Sequence, residues 1–266
     1  MGKTKGVFKA IKKDGSEYYR ASITYKNKHI SLGSFETELE AFLVYKEADL
    51  VLHDNNQTID QFDSEKCRLP FAKRVCLVNY RDNNMYFKTP IYLRKNYFTY
   101  HLSPKEVLKF DIDDLFFYST RTIMKRQGHL FVADYGMQIN LPSRYGIKNY
   151  AVYGEDYYFR NHDLLDYRYE NIVILNRYNG VIHGGTKNKE LFTARLHING
   201  NVVIGHYETE QEAAVAYNKG VDFASKHGLK RNYQKNYIDG INEEQYDALY
   251  NKVALSDGFI KYFIGE

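Results

Sequence analysis

An internal repeat constrains the fold of this chain more than any other feature. Residues 32–45 read LGSFETELEAFLVY and residues 204–217 read IGHYETEQEAAVAY, so seven of the fourteen positions are identical. The match continues upstream, where residues 6–7 pair with 180–181 and residues 19–23 pair with 192–196. Differences in length fall only at turns, where a duplicated sheet tolerates them. The sequence therefore predicts two copies of one small structural unit.

Each copy has the pattern of three short strands followed by a helix. Turn residues separate the runs that alternate in polarity, at Asp14-Gly15 in the first copy and at Asn199-Gly200 in the second. Both helices should begin with a capping box, because Thr37 and Thr209 each stand three residues before a glutamate. Small alanines on the helical stripe let the helix lie close to one face of the sheet.

The opposite face of each sheet should then be open to solvent. Alternation places Tyr19, Ala21 and Ile23 toward the helix. The exposed side is expected to hold the basic and polar residues of both copies, namely Lys9, Lys12, Tyr18, Arg20, Ser22, Thr24, Lys28, His183, Thr193, Arg195 and His197. A basic, flat strand surface of this kind fits the DNA major groove.

Both copies resemble the Apetala-type, ethylene-response-factor-like DNA-binding domain. The resemblance covers about residues 4–53 and 178–230. It rests on the signature of that family, which includes a Gly-Val start, an Ala-x-Ile strand, a Leu-Gly-x-Phe turn and a Glu-Ala-Ala-x-x-Tyr helix. It implies a three-stranded sheet laid in the major groove. This chain lacks the tryptophans of the plant form, so base preference does not transfer. We expect Arg20 and Arg195 to read bases, and we expect phosphate contacts from Lys9, Lys12, Lys13, Lys28 and Lys187.

The segment between the copies resembles the HNH homing endonucleases of mobile elements and phages. Four runs keep the order of that family, at residues 109–114, 128–132, 137–143 and 165–175. The catalytic chemistry does not match, because Pro142 and Phe159 stand where the family has its histidines. Neither side chain binds a cation or accepts a proton near neutral pH. We expect no catalytic residues, no metal site and no cofactor.

A few polar residues of the HNH pattern survive. Asp166, Arg168 and Asn171 match its closing motif, and in that family they brace the fold or touch the DNA backbone, so Arg168 is a further candidate DNA contact. The residue types His, Asn and His do occur in that order, at His162, Asn171 and His183. His162, however, falls at a turn position of the family pattern, and His183 falls on the first strand of the next module. Asp113 and Asp114 suit a turn at a strand end.

Charge and composition agree with a polyanionic partner. Net charge is only +4, but residues 1–35 carry +6 and residues 36–70 carry −6, and the same order recurs as +2 over 178–207 and −3 over 208–266. The two cysteines, Cys67 and Cys76, form no C-x-x-C pair. No apolar run has the length that crosses a bilayer, and residues 1–6 do not form a secretory signal, so we expect a cytoplasmic protein without a membrane partner.

These patterns predict an α+β protein in which two small sheet-plus-helix modules flank a degenerate ββα-metal, HNH-like domain. The expected domains are residues 1–68, 69–177 and 178–266. The first functional hypothesis is a sequence-specific, non-enzymatic binder of double-stranded DNA, a phage or mobile-element-related transcriptional regulator derived from a homing endonuclease. The alternatives are a divergent HNH nicking endonuclease and a protein-binding inhibitor.

The C-terminal segment carries one further open question. A terminal helix is expected around residues 243–254, followed by the aromatic residues Phe259, Tyr262 and Phe263. These aromatic side chains belong either to the core of the second module or to a contact with a protein partner, including a second copy in a homodimer.

Overall fold

The computed structural model describes residues 4–134, 136–186 and 189–265. The fold is α+β, as predicted, with small sheets of two or three strands and helices packed beside them. The chain divides into two compact units, Met1–Ile139 with Asp163–Asn171 and Asn140–His162 with Ile172–Glu266. The central segment predicted from the sequence contributes residues to both units, and each unit contains one copy of the repeat.

The first copy forms a three-stranded antiparallel sheet and a helix. Its strands are β1 (Val7–Ile11), β2 (Glu17–Tyr25) and β3 (Lys28–Phe35), and its helix is α1 (Glu38–His53). The Thr37 hydroxyl accepts a hydrogen bond from the backbone N–H of Glu40 at 3.2 Å, which is the threonine half of the predicted capping box. The helix buries its small and aliphatic side chains against one face of the sheet, in a core that includes Ala21, Ile23, Ile30, Leu32, Ala41, Val44 and Ala48.

A buried helix and a second sheet follow in the same unit. Helix α2 (Phe71–Asn83) precedes β4 (Ile91–Leu93), β5 (Tyr97–His101) and β6 (Val107–Asp111), which form one sheet. The Arg81 guanidinium on α2 donates to the carbonyl oxygens of Val51, Asp54 and Gln57 at 2.8 to 2.9 Å. These bonds satisfy acceptors at the end of α1 and fix the chain that leaves it.

An aromatic cluster fills the rest of the first unit. The rings of Phe110 and Tyr118 stack at 4.2 Å between centroids, and Phe98 packs beside both. The last elements are α3 (Leu115–Ser119), β7 (Ile123–Arg126), β8 (His129–Asp134) and β9 (Met137–Asn140). The predicted turn at Asp113 and Asp114 is confirmed, because a 3-10 turn over Ile112–Asp114 follows β6 directly.

The second unit contains the other copy and the C-terminal helices. A hairpin of β10 (Tyr157–Phe159) and β11 (Ile172–Ile174) precedes the sheet of β12 (Val181–Thr186), β13 (Lys189–His197) and β14 (Asn201–Tyr207), on which α4 (Glu210–Lys226) packs. The predicted terminal helix is confirmed as α5 (Glu243–Lys252), and α6 (Asp257–Ile264) follows it. Phe259 is fully buried in the core of this module, whereas Tyr262 is half exposed.

Within the described part of the chain, no helix combines the length and the apolar character that spanning a membrane requires.

The buried His101 makes stability depend on pH. It is 7% exposed, and its Nε2 lies 3.0 Å from the Thr99 hydroxyl. Burial, followed by the charge of Arg94, lowers its pKa from 6.5 to about 4. Between those two pH values the unfolded chain therefore binds one more proton than the folded chain. The free energy of unfolding has its full value above about pH 6.5 and falls as the pH drops toward 4. We expect a loss of about 3 kcal/mol over this range.

Urea unfolding at intervals from pH 7 to pH 4.5 measures this effect. His101→Gln should remove this part of the pH dependence, because its amide stays neutral and retains hydrogen-bonding capacity. His129→Gln is the matched control, since His129 is exposed and its replacement should leave the wild-type profile unchanged. If the free energy of unfolding of His101→Gln falls with pH as steeply as that of the wild type, the protonation of Asp and Glu side chains, and not of His101, causes the pH dependence.

Candidate nucleic-acid interface

The sheet of the first copy presents an open face on the side away from α1, which we call the first outer face. Strand pairing places Phe8 and Ser34 beside Arg20, and His29 beside Thr24, on this face. Arg20 is exposed, and its guanidinium makes no hydrogen bond or ion pair to any residue that the structure describes. Its donors are therefore available to a ligand.

Strand register corrects the expected position of two lysines. Lys9 pairs with Tyr19 and Lys28 pairs with Tyr25, and residues directly opposite in a sheet share a face. Both lysines therefore point toward the α1 side. The Lys9 ammonium lies 2.7 Å from Glu17, and the Lys28 ammonium lies over the Tyr86 ring.

The remaining candidates of the first copy divide between the face and its border. Lys12 and Lys13 are exposed where β1 turns into β2. Tyr18 is half-buried, and the Thr24 hydroxyl lies 3.4 Å from His29 Nδ1. Ser22, expected to be exposed, is only 8% exposed, because its short side chain lies on the central strand beside the bulge between β2 and β3. Ser22 therefore contributes little to the accessible surface.

The second copy presents an equivalent surface, the second outer face, on the side of its sheet away from α4. Thr193, Arg195 and His197 alternate along β13 on this face. The Thr193 hydroxyl lies 2.9 Å from Nδ1 of His206, and His197 Nδ1 lies 3.1 Å from the side-chain oxygen of Asn201. Arg195 is half-buried and its guanidinium, like that of Arg20, has no hydrogen-bond or ion-pair partner among the residues that the structure describes.

Two candidates of the second copy do not belong to this face. His183 pairs with Phe192 and contacts its ring at 5.1 Å between centroids, so it points to the α4 side, contrary to expectation. The imidazole is also 3.8 Å from Glu190. Lys187 lies outside the described residues.

The two sheets share a backbone hydrogen bond and a glycine–tyrosine contact as well as the same strand order. The backbone N–H of Ser22 donates to Gly6 O at 2.9 Å, and that of Arg195 donates to Gly180 O at 2.7 Å. Both glycines have positive φ, and each lies against the tyrosine in the middle of its helix. The predicted duplication of a sheet-plus-helix module is therefore confirmed.

The residues of the HNH pattern have structural roles in the described chain. The Arg168 guanidinium forms a two-bond pair with the buried carboxylate of Asp166, at 2.6 and 2.8 Å, which raises the pKa of Arg168 further above its already high value. Asn171 is buried and donates to the Asp166 carbonyl at 2.8 Å. Arg168 therefore braces this segment, and its donors are less available to DNA than those of Arg20.

The structure describes both positions at which the HNH resemblance would place histidines. Phe159 is buried on β10, and Pro142 is the second residue of a 3-10 turn over Leu141–Tyr145. His162 is exposed at a position with φ of +59°. Among the residues that the structure describes, no group of three or more His, Cys, Asp or Glu side chains is arranged to hold a metal ion.

Sequence reasoning missed the two imidazoles of the outer faces, those of His29 and His206. Both lie on the third strand of their sheets, where only the register shows that they stand beside Thr24 and Thr193. Alternation along each third strand predicts which side chains share a face. A bulge in the pairing reverses this assignment partway along the strand, so alternation alone does not place these histidines.

Comparisons of the chain with protein-family models, curated protein sequences and solved structures found no match.

Proposed function

We propose that this protein binds double-stranded DNA sequence-specifically through the first and second outer faces. The observation that carries the proposal is the presence, on equivalent faces of two duplicated modules, of an arginine without a hydrogen-bond or ion-pair partner in the described structure. The resemblance of both copies to Apetala-type domains supports the same assignment. We further propose that the protein is a transcriptional regulator related to those of phages or mobile elements.

The chemistry of these faces suits readout of base edges. An arginine without a partner can donate two parallel hydrogen bonds to guanine O6 and N7 in the major groove. Threonine hydroxyls and imidazoles add donors and acceptors that either strand can use. Because both modules belong to one chain, binding of one raises the effective concentration of the other. We therefore expect a long or bipartite DNA site.

We also propose that the central segment acts as a scaffold without nuclease activity. This proposal rests on the side chains at the positions where the resemblance places catalytic histidines. Phe159 is buried in the core, and Pro142 has no group that accepts a proton. The segment would then space the DNA-binding faces or extend the contact with DNA.

The lysines at the first turn are expected to contact phosphates. Replacing both Lys12 and Lys13 with alanine should weaken binding to all duplex sequences alike. It should also reduce the slope of log K against log salt by about 2, because each phosphate contact releases counterions. Fluorescence anisotropy with a labelled duplex at several salt concentrations measures both quantities.

Lys66→Ala is the matched control for this experiment. Lys66 is exposed but lies in the acidic segment and pairs with Asp63 at 2.9 Å, so its loss should leave the slope unchanged. A slope that stays the same in the Lys12 and Lys13 variant would place this turn outside the interface.

A further inference from the structure

A cavity of about 460 Å³ opens in the second unit where β13 extends beyond its pairing with β12. The β12 strand begins opposite Ala194, so the following residues of β13 lack that neighbour. A segment after α4 takes its place, in which the Tyr233 hydroxyl donates to His197 O at 2.7 Å and Arg231 donates to Ile198 O at 3.2 Å. The volume falls within the range of small-molecule sites.

The charge of the cavity is positive. Arg195, His197, Arg231 and Lys148 line it, and Asp156 is the one carboxylate among its described lining residues. The Asp156 carboxylate is already neutralised, because the Lys148 ammonium lies 2.9 Å away. Two guanidinium groups therefore remain without a counter-charge among the described lining residues. A half-buried arginine without an anionic partner favours the binding of an anion.

The cavity also offers aromatic rings. Tyr150, Tyr217 and Tyr233 line it. Tyr150 is 100% exposed and has a φ of +63°, a backbone conformation that a bulky side chain rarely adopts. Such conformations cluster at active sites and ligand-binding sites. Exposed aromatic rings of this kind stack on nucleic-acid bases.

The first copy of the repeat shows that this charge is not needed to fold the module. In the aligned repeats, Ser22 stands at the position of Arg195 and Thr24 at that of His197. Both modules nevertheless have the same sheet, the same bulge and the same glycine contact with the helix. The arginine and the histidine of the cavity therefore have a role that the fold itself does not explain.

We propose that this cavity binds one nucleotide unit, with its phosphate on Arg195 and Arg231 and its base against the rings of Tyr150 and Tyr233. The phosphate is the anion that a pair of guanidinium groups binds through parallel hydrogen bonds. The unit comes either from a free mononucleotide or from the 5′ end of a DNA strand. This inference goes beyond the proposed binding of duplex DNA by the two outer faces, and because Arg195 belongs both to the cavity and to the second outer face, the nucleotide and duplex DNA would compete for its guanidinium.

Isothermal titration of the full-length protein tests the proposal with deoxynucleoside 5′-monophosphates, the matching nucleosides and inorganic phosphate as probes. We expect saturable binding of the monophosphates, with at least tenfold weaker binding of the nucleosides and of phosphate alone. Arg195→Ala should weaken binding of the monophosphates at least tenfold. Arg126→Ala is the matched control and should leave it unchanged, because Arg126 is exposed on β7 of the first unit and does not line the cavity.

Arg195→Lys, which retains the charge, should bind with an intermediate affinity. Thermal unfolding followed by circular dichroism establishes that each variant is folded. Absence of saturable binding by the wild type would overturn the proposal, as would equal losses in Arg195→Ala and Arg126→Ala, since equal losses indicate general electrostatic attraction.

A 5′-phosphorylated single strand and its 5′-hydroxyl counterpart distinguish the two sources of the nucleotide. Tenfold tighter binding of the phosphorylated strand than of the free monophosphate supports a strand end, and equal binding supports a free nucleotide. Duplex binding is measured separately on the same samples. Nucleotide binding without duplex binding contradicts only the proposed function, and duplex binding without nucleotide binding contradicts only this inference.

Discussion

Replacing both Arg20 and Arg195 with alanine is expected to weaken binding to the preferred duplex by a hundredfold or more. Each arginine presents a guanidinium without a partner in the described structure on the outer face of its module. Loss of one base-reading arginine costs about tenfold to a hundredfold in affinity. Because the two side chains belong to separate modules, their effects should combine with little coupling.

The single variants and a charge-matched control make this prediction specific. Each single replacement should relax base preference at one part of the DNA site, and binding to unrelated duplexes should change much less. Arg126→Ala combined with Arg160→Ala removes the same charge from exposed positions outside both modules, and it should reduce affinity only slightly. Equal losses in the two double variants would show that net charge, and not these faces, determines binding.

Gly180→Ala is expected to destabilise the second module by about 3 kcal/mol or more. Gly180 has a φ of +66°, and a Cβ added there would lie 2.3 Å from the Tyr217 ring and 2.4 Å from the carbonyl oxygen of Arg195. Neither obstacle is the end of a flexible side chain, so the strand would have to move away from the helix. Urea unfolding followed by circular dichroism measures the loss.

Gly184→Ala is the control, because Gly184 lies on β12, the strand that Gly180 immediately precedes. Its backbone is extended, and the nearest atom to an added Cβ is 4.0 Å away, so the stability should change by less than about 1 kcal/mol. Gly6→Ala should reproduce the large effect in the first module, since its Cβ would lie 2.0 Å from the Tyr45 ring. Equal stability of Gly180→Ala and Gly184→Ala would contradict this packing.

The modules could be predicted from the sequence because local and long-range patterns agree. The repeat defines the unit, Thr37 and Thr209 mark the helix starts, and alanines mark the face that packs on the sheet. The side of the sheet on which an individual lysine side chain lies could not be predicted in the same way. A shift of one residue in strand pairing moves a side chain to the opposite face, and Lys9 and Lys28 illustrate this.

The cavity of the second unit could not be predicted, for a different reason. Lys148 and Tyr150 precede the repeat, and Arg231 and Tyr233 follow its helix. A repeat pattern contains no information about segments that lie outside it. The role of Arg168 is a third case, because its pairing with Asp166 depends on the burial of that carboxylate, which spacing along the chain does not reveal.

The most direct test of DNA binding is a selection in which the purified full-length protein is mixed with a pool of randomised duplexes. The selection is run at near-physiological salt with Mg²⁺ present, and the bound DNA is sequenced and examined for nicks. We predict enrichment of a long or bipartite motif in intact duplexes. Enriched but nicked duplexes would contradict the assignment of the central segment as a non-catalytic scaffold, and absence of any enriched motif would contradict sequence-specific DNA binding itself.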